Sequence, residues 1–143
     1  MKEDETLMLK ELALLRTLEH PCIIKVYEFY REPKFLYFIS EYCSEGSLFE
    51  IIQNEKKGLK EQEVAYIMKQ LLSVICYCHS KDILNRDYRL ENLYVESIER
   101  NVYTKDNNDK INLYNIRVSD FKCARTYKNS KPLNKKIGNV SNF

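Results

Sequence analysis

An α+β domain is the fold class the chain predicts, because two long helical periodicities stand beside several short β-rich runs. Apolar residues recur at helical spacing over 3–18 and about 61–80. β-branched and aromatic residues concentrate at 23–29 and 35–40, with shorter runs near 93–95 and 116–118. With 143 residues, 44% of them hydrophobic and 31% charged, the chain has the size and composition of one domain with its own core.

The elements follow in order. In the first helix Leu7, Met8, Leu14, Leu15 and Leu18 share a face, and Pro21 ends it. Glu11 falls on that same face. A core-facing carboxylate needs a partner or a place at the edge, since an unpaired buried charge is expensive. The periodicity leaves both open. Arg31-Glu32-Pro33-Lys34 supplies the turn of an antiparallel pair, and Ser47 is placed to cap a short helix through Gln53. In the second long helix Val64, Ile67, Met68, Leu71, Leu72, Ile75 and Cys78 form a wide apolar stripe that predicts burial. Residues 96–115, rich in Asn, Asp and Lys, are expected to be a poorly ordered surface excursion between two short strands.

Bulk properties exclude several classes. A net charge of +2 is too small to argue for nucleic acid or a membrane surface. No apolar run is long enough to cross a bilayer, and the acidic start is unlike a secretory signal. Five scattered cysteines predict reduced thiols and a cytoplasmic location rather than a disulfide framework. Cys76-x-Cys78 lacks zinc-site spacing. Lys110 and Ile111 spoil a calcium loop after Asp106, and the sequon at Asn139 is expected by chance. Phe121 to Phe143 holds six basic residues and no acid, which reads as a solvated basic tail on an acidic body.

Chemistry concentrates in two segments. Residues 83–92 read Ile-Leu-Asn-Arg-Asp-Tyr-Arg-Leu-Glu-Asn, and Asp120-Phe121-Lys122 follows. The first resembles the pattern His-Arg-Asp-Leu-x-x-x-Asn, in which an Asp base precedes an Asn metal ligand by five positions. Asp87 and Asn92 have that spacing. The second resembles the Asp-Phe-Gly metal turn. Glu11 to Tyr27 resembles a C-helix and fourth strand, Phe35 to Phe49 a fifth strand, hinge and D-helix start, and Tyr77-Cys78-His79-Ser80 the end of an E-helix. In this order they resemble a eukaryotic protein kinase domain. The similarity is greatest to calcium-dependent and calmodulin-dependent serine/threonine kinases of protists and plants.

The resemblance implies a partial bilobal kinase-like fold over 1–143. Residues 1–40 would be the N-lobe remnant, 41–46 the hinge and 47–143 a partial C-lobe with its polar insertion at about 96–115. It implies ATP and magnesium as cofactors and a protein substrate or scaffold partner, with no nucleic acid or membrane. Asp87 and Arg89 would be catalytic, and Asn92 and Asp120 would hold the metal. Glu11, Glu41, Cys43 and Ser47 would belong to the nucleotide site. Glu11 would pair with a strand lysine, Ser40 would be the gatekeeper, and Glu41 and Cys43 would meet adenine through their backbones. Arg86 would face an activation-segment phosphate, with Thr126 and Ser130 in that region.

Departures from the pattern set further expectations. Asn85 replaces a His and should loosen the packing beneath Phe121. Arg89 replaces a Lys, so charge survives while geometry changes. Leu90 stands for a Pro and is tolerable. Lys122 replaces a Gly, limits backbone freedom and places an ammonium where it competes with metal. Asn139 replaces a Thr that braces the catalytic loop after Gly138. The Gly-rich loop and strand lysine are expected before Met1, and an Ala-Pro-Glu segment after Phe143. The chain by itself is therefore expected to be inactive, as a fragment or as a pseudokinase used for binding.

Overall fold

A computed structural model describes residues 2–33, 35–55, 57–104 and 109–127, with side chains from residue 5 onward. Its elements run α1 (Lys2–Leu15), β1 (Val26–Arg31), β2 (Leu36–Ser40), α2 (Leu48–Asn54), α3 (Glu61–Ser80) and β3 (Ile83–Leu84). A 3-10 turn (Leu90–Asn92) leads into β4 (Leu93–Tyr103), followed by β5 (Lys110–Val118) and β6 (Arg125–Thr126). The strands form three antiparallel ribbons, β1–β2, β3–β6 and β4–β5. The α+β class is the one expected, and the element order is that of a partial kinase-like fold.

One core joins these pieces. Leu15 and Leu18 from the α1 end meet Ile67, Val74 and Cys78 of α3 and Val95, Tyr114, Ile116 and Val118 of the β4–β5 ribbon. The α1–β1 connection is stitched to β5 by backbone: Ile24 N–H donates to Val118 O, and Val118 N–H donates to Cys22 O. These bonds satisfy polar groups that burial would otherwise strand. The segment before α2 is tied to the same ribbon, since Val95 N–H donates to Gly46 O at 2.8 Å. Gly46 turns there with φ +81°, a conformation that costs glycine least.

Helix α1 ends at Leu15, not near 18, and Leu7 is exposed although it was expected on the inner face. Leu12 is buried instead, facing a hollow that Val26 to Tyr30 of β1 also line. In α3 the expected stripe is only partly inward. Ile67 and Cys78 are buried with Val74, whereas Val64, Met68 and Leu72 are exposed along a neighbouring face. The wide stripe was two faces. Glu63 is instead buried, at 5% exposure, as part of a seam that the apolar pattern does not signal.

That seam corrects the expectation for residues 96–115. Residues 96–103 and 110–115 continue the two short strands into a ribbon paired from Leu93↔Val118 to Tyr103↔Lys110, with shifts in register after Val95 and Glu99, while 105–108 lie outside the described residues. Side chains of α3 occupy the outer edge of β5. Glu63 Oε1 accepts Asn112 N–H at 2.7 Å, Gln70 Nε2 donates to Tyr114 O at 2.8 Å, and Gln70 Oε1 accepts Ile116 N–H at 3.0 Å. Tyr66 OH donates to Asn115 Oδ1. A helix capping a strand edge in this way removes the exposed ladder that polar composition suggested would be disordered.

Candidate nucleotide and catalytic site

The site is built on two short connections that the core holds together. Residues 85–92 leave β3 and enter the 3-10 turn, while Ser119 to Ala124 leave β5 and return to β6. β6 closes the arrangement by pairing Thr126 with Ile83 and Arg125 with Leu84. The two loops are bound to each other through Asn85. Its Nδ2 donates to Asp120 O at 2.7 Å, and its Oδ1 accepts Asp87 N–H at 2.9 Å. Asn85 is 2% exposed. The amide that stands in place of the expected His supplies one donor and one acceptor, and both are used.

Asn92 joins the same network. Its Nδ2 donates to Asp87 O at 3.1 Å, and its own carbonyl accepts Ser119 N–H and Ser119 Oγ. Asp87, Asn92 and Asp120 therefore share one hydrogen-bonded frame through Asn85 and Ser119. Arg89 Nε lies 2.8 Å from Asp87 Oδ1 as an ion pair, with Nη2 aligned on Oδ2 at 3.3 Å. Arg86, expected to face a phosphate, adopts φ +69° and donates through Nε and Nη2 to Cys123 O. Ser130, Gly138 and Asn139 lie outside the described residues.

Glu11 reaches the same place from α1. Its Oε1 accepts Phe121 N–H at 2.9 Å. Among the described residues the carboxylate on the apolar face is therefore a half-buried group with a partner, the Phe121 backbone N–H. Burial pushes its pKa above the ordinary carboxyl value; the Phe121 N–H opposes this, Asp120 adds to it and Lys122 opposes it. Lys122 folds back on the metal turn. Its N–H donates to Asp120 Oδ1 at 2.9 Å, and its Nζ lies 3.7 Å from Asp120 Oδ2.

A cleft of about 580 Å³ opens between α1, the β1–β2 ribbon, residues 41–43 and this turn. Met8, Leu15, Ile24, Val26 and Phe38 give it apolar walls, and Glu11, Ser40, Glu41, Cys43 and Lys122 also line it. Glu41 N–H donates to Lys25 O at 2.8 Å, which ties the expected hinge to the segment before β1. Burial raises the pKa of the Cys43 thiol, with Glu41 adding to the effect, so it is not an activated nucleophile. Ser47 takes the capping position the sequence predicted for it. It is buried, N-caps α2 and exchanges hydrogen bonds with Glu50, and the cleft is lined without it.

Sequence reasoning missed Arg117. Its Nε donates to Glu41 Oε1 at 3.0 Å and its Nη2 to Glu96 Oε2 at 2.6 Å, fixing the hinge segment to the ribbon. The partners lie 76 and 21 positions away, so no local pattern could have revealed them. Asn85 was noticed only as a departure; the signal missed was that an amide, like an imidazole, has both a donor and an acceptor.

Asp120 and Asn92 fit a divalent cation by donor chemistry. One supplies a carboxylate, and the other an amide oxygen that accepts no hydrogen bond among the described residues. Magnesium takes such oxygens together with substrate phosphates.

Comparison with known proteins agrees with this frame. The protein kinase domain model matches residues 1–141, and the chain belongs to that family. It is 35% identical over 137 residues to calcium-dependent protein kinase 4 of Plasmodium berghei (strain Anka), covering 96% of this chain and 24% of that protein. Over 119 residues it is 39% identical to serine/threonine-protein kinase 33 of Bos taurus, covering 82% of this chain and 23% of that protein. The chain thus spans about a quarter of the length of these relatives. The family generally uses ATP and magnesium. No helix among the described residues is long and apolar enough to cross a membrane.

Proposed function

We propose that this domain binds ATP in the cleft and serves ATP-dependent phosphoryl transfer to serine or threonine of a protein substrate. The Asn85 bridge carries the reading. It joins the loop of Asp87 to the turn of Asp120, which is what a reaction dependent on positioning and electrostatics requires. Apolar walls would take the base of the nucleotide, and the backbone of Glu41 and Cys43 would orient it. Asp87 would accept the proton of the substrate hydroxyl. Arg89, paired with Asp87, would orient that carboxylate and present its remaining donors to the transferred phosphate. Asn92 and Asp120 would hold magnesium, which supplies charge neutralisation on the phosphates when bound.

A second reading is a pseudokinase acting as a binding or scaffolding module. It is favoured by the two ion pairs, Asp87 with Arg89 and Asp120 with Lys122, which occupy both carboxylates in the structure. One experiment separates the readings. The chain is titrated with a fluorescent adenine nucleotide, with and without magnesium, and then given radiolabelled ATP and a pool of Ser/Thr peptides. Binding with transfer that falls about 100-fold or more in Asp87→Asn supports the kinase reading. Binding without transfer leaves the module. No binding in either condition sinks the nucleotide site.

A further inference from the structure

We infer that Lys122 gives the cleft a resident cation, so that a nucleoside di- or triphosphate is held there without a divalent metal ion. The inference rests on the nucleotide reading above and adds to it the source of the positive charge. Lys122 is the one cationic side chain among the described residues lining the cleft, where the acids are Glu11 and Glu41. Glu41 is already paired with Arg117, whereas Glu11 accepts only the Phe121 N–H and its charge is felt by both Asp120 and Lys122. Other nearby cations are engaged. Arg86 is spent on the Cys123 carbonyl, Arg89 on Asp87, and Arg117 on Glu41 and Glu96.

The charge at the metal turn decides the matter. A bare Asp120 would repel phosphate oxygens, and a divalent ion would ordinarily reverse that field. Here the Lys122 ammonium lies 3.7 Å from Asp120 Oδ2, so the turn carries its own counter-charge. The Lys122 side chain is 58% exposed, and its four-carbon stem allows the ammonium to reach an arriving anion. Metal at Asp120 gains correspondingly less, because it must displace an ion pair already formed. Each phosphate contact made by an ammonium is charge-assisted and stronger than a neutral one. Lys122 therefore substitutes for part of what magnesium would supply in binding, while leaving nucleophile and base untouched.

The test uses the full chain, with ATP and adenosine as competitors of a fluorescent adenine nucleotide, in EDTA and in magnesium. The parent protein is expected to bind ATP with affinities that differ by no more than about twofold between the two conditions, a few tenths of a kcal/mol. Lys122→Met keeps the stem and the backbone N–H to Asp120, and is expected to weaken ATP about tenfold or more in EDTA, with magnesium restoring much of the loss. Lys122→Arg should stay near the parent, and adenosine, which has no phosphate, should bind all three alike. A parent that binds ATP only with magnesium overturns the inference and spares the nucleotide reading. A Lys122→Met protein that keeps parental affinity in EDTA, or loses adenosine as strongly as ATP, also overturns it. A parent that binds neither ligand in either condition removes both readings together.

Discussion

Replacing Asn85 with alanine removes the side chain that ties the Asp87 backbone to that of Asp120, while the Arg86 to Cys123 O and Ser119 Oγ to Asn92 O bonds remain. Two hydrogen bonds vanish, at 2.7 Å to Asp120 O and at 2.9 Å from Asp87 N–H. At 2% exposure the position is closed to bulk water, so both backbone groups are left without the partner they had. A net hydrogen bond contributes about 0.5–1.5 kcal/mol and a stranded buried group costs about 1–3 kcal/mol, which puts Asn85→Ala at about 2–4 kcal/mol. In urea unfolding, with a slope of about 2 kcal/mol/M, the midpoint should drop by about 1–2 M while the slope stays constant. Amide exchange at Asp87 should quicken in parallel, because its N–H loses its acceptor. A loss within about 0.5 kcal/mol would mean the two loops are held without the Asn85 bonds, and the argument from its amide would fail.

Two further outcomes follow from the same geometry. Glu63→Ala removes the acceptor of both Lys60 N–H and Asn112 N–H, so it should cost about 2–3 kcal/mol and speed amide exchange at Asn112 more than at Tyr94. Glu11→Gln keeps an acceptor for Phe121 N–H while removing the ionisable group whose folded pKa is raised. A raised carboxyl pKa is a penalty that is absent below the unfolded value. It grows as pH rises towards the folded pKa and is complete above it. The parent should therefore lose stability relative to Glu11→Gln across that window, by less than about 1 kcal/mol because the group is partly solvated. Carbon-detected NMR titration of the Glu11 carboxyl should give a midpoint above the ordinary glutamate value of 4.5, and a midpoint at or below it would contradict the burial argument.

Local patterns and local chemistry were read correctly where the determinant is itself local. The α3 boundaries at Glu61–Ser80 follow from an unbroken helical period, and the Ser47 cap follows from a side chain placed three residues before Glu50. The order of the kinase-like segments and the Asp87 to Asn92 spacing are likewise written along the chain. Tertiary structure decided what depends on distant partners. Only folding shows that Glu11 finds the Phe121 N–H, 110 positions away, and that Arg117 grips Glu41 across 76. It also placed polar residues 96–103 and 110–115 in the β4–β5 ribbon, because the Glu63 and Gln70 side chains cover an edge that composition alone leaves exposed. The physical reason is that periodicity reports which face is apolar, whereas a buried polar group is stabilised by whichever donor or acceptor the fold brings to it.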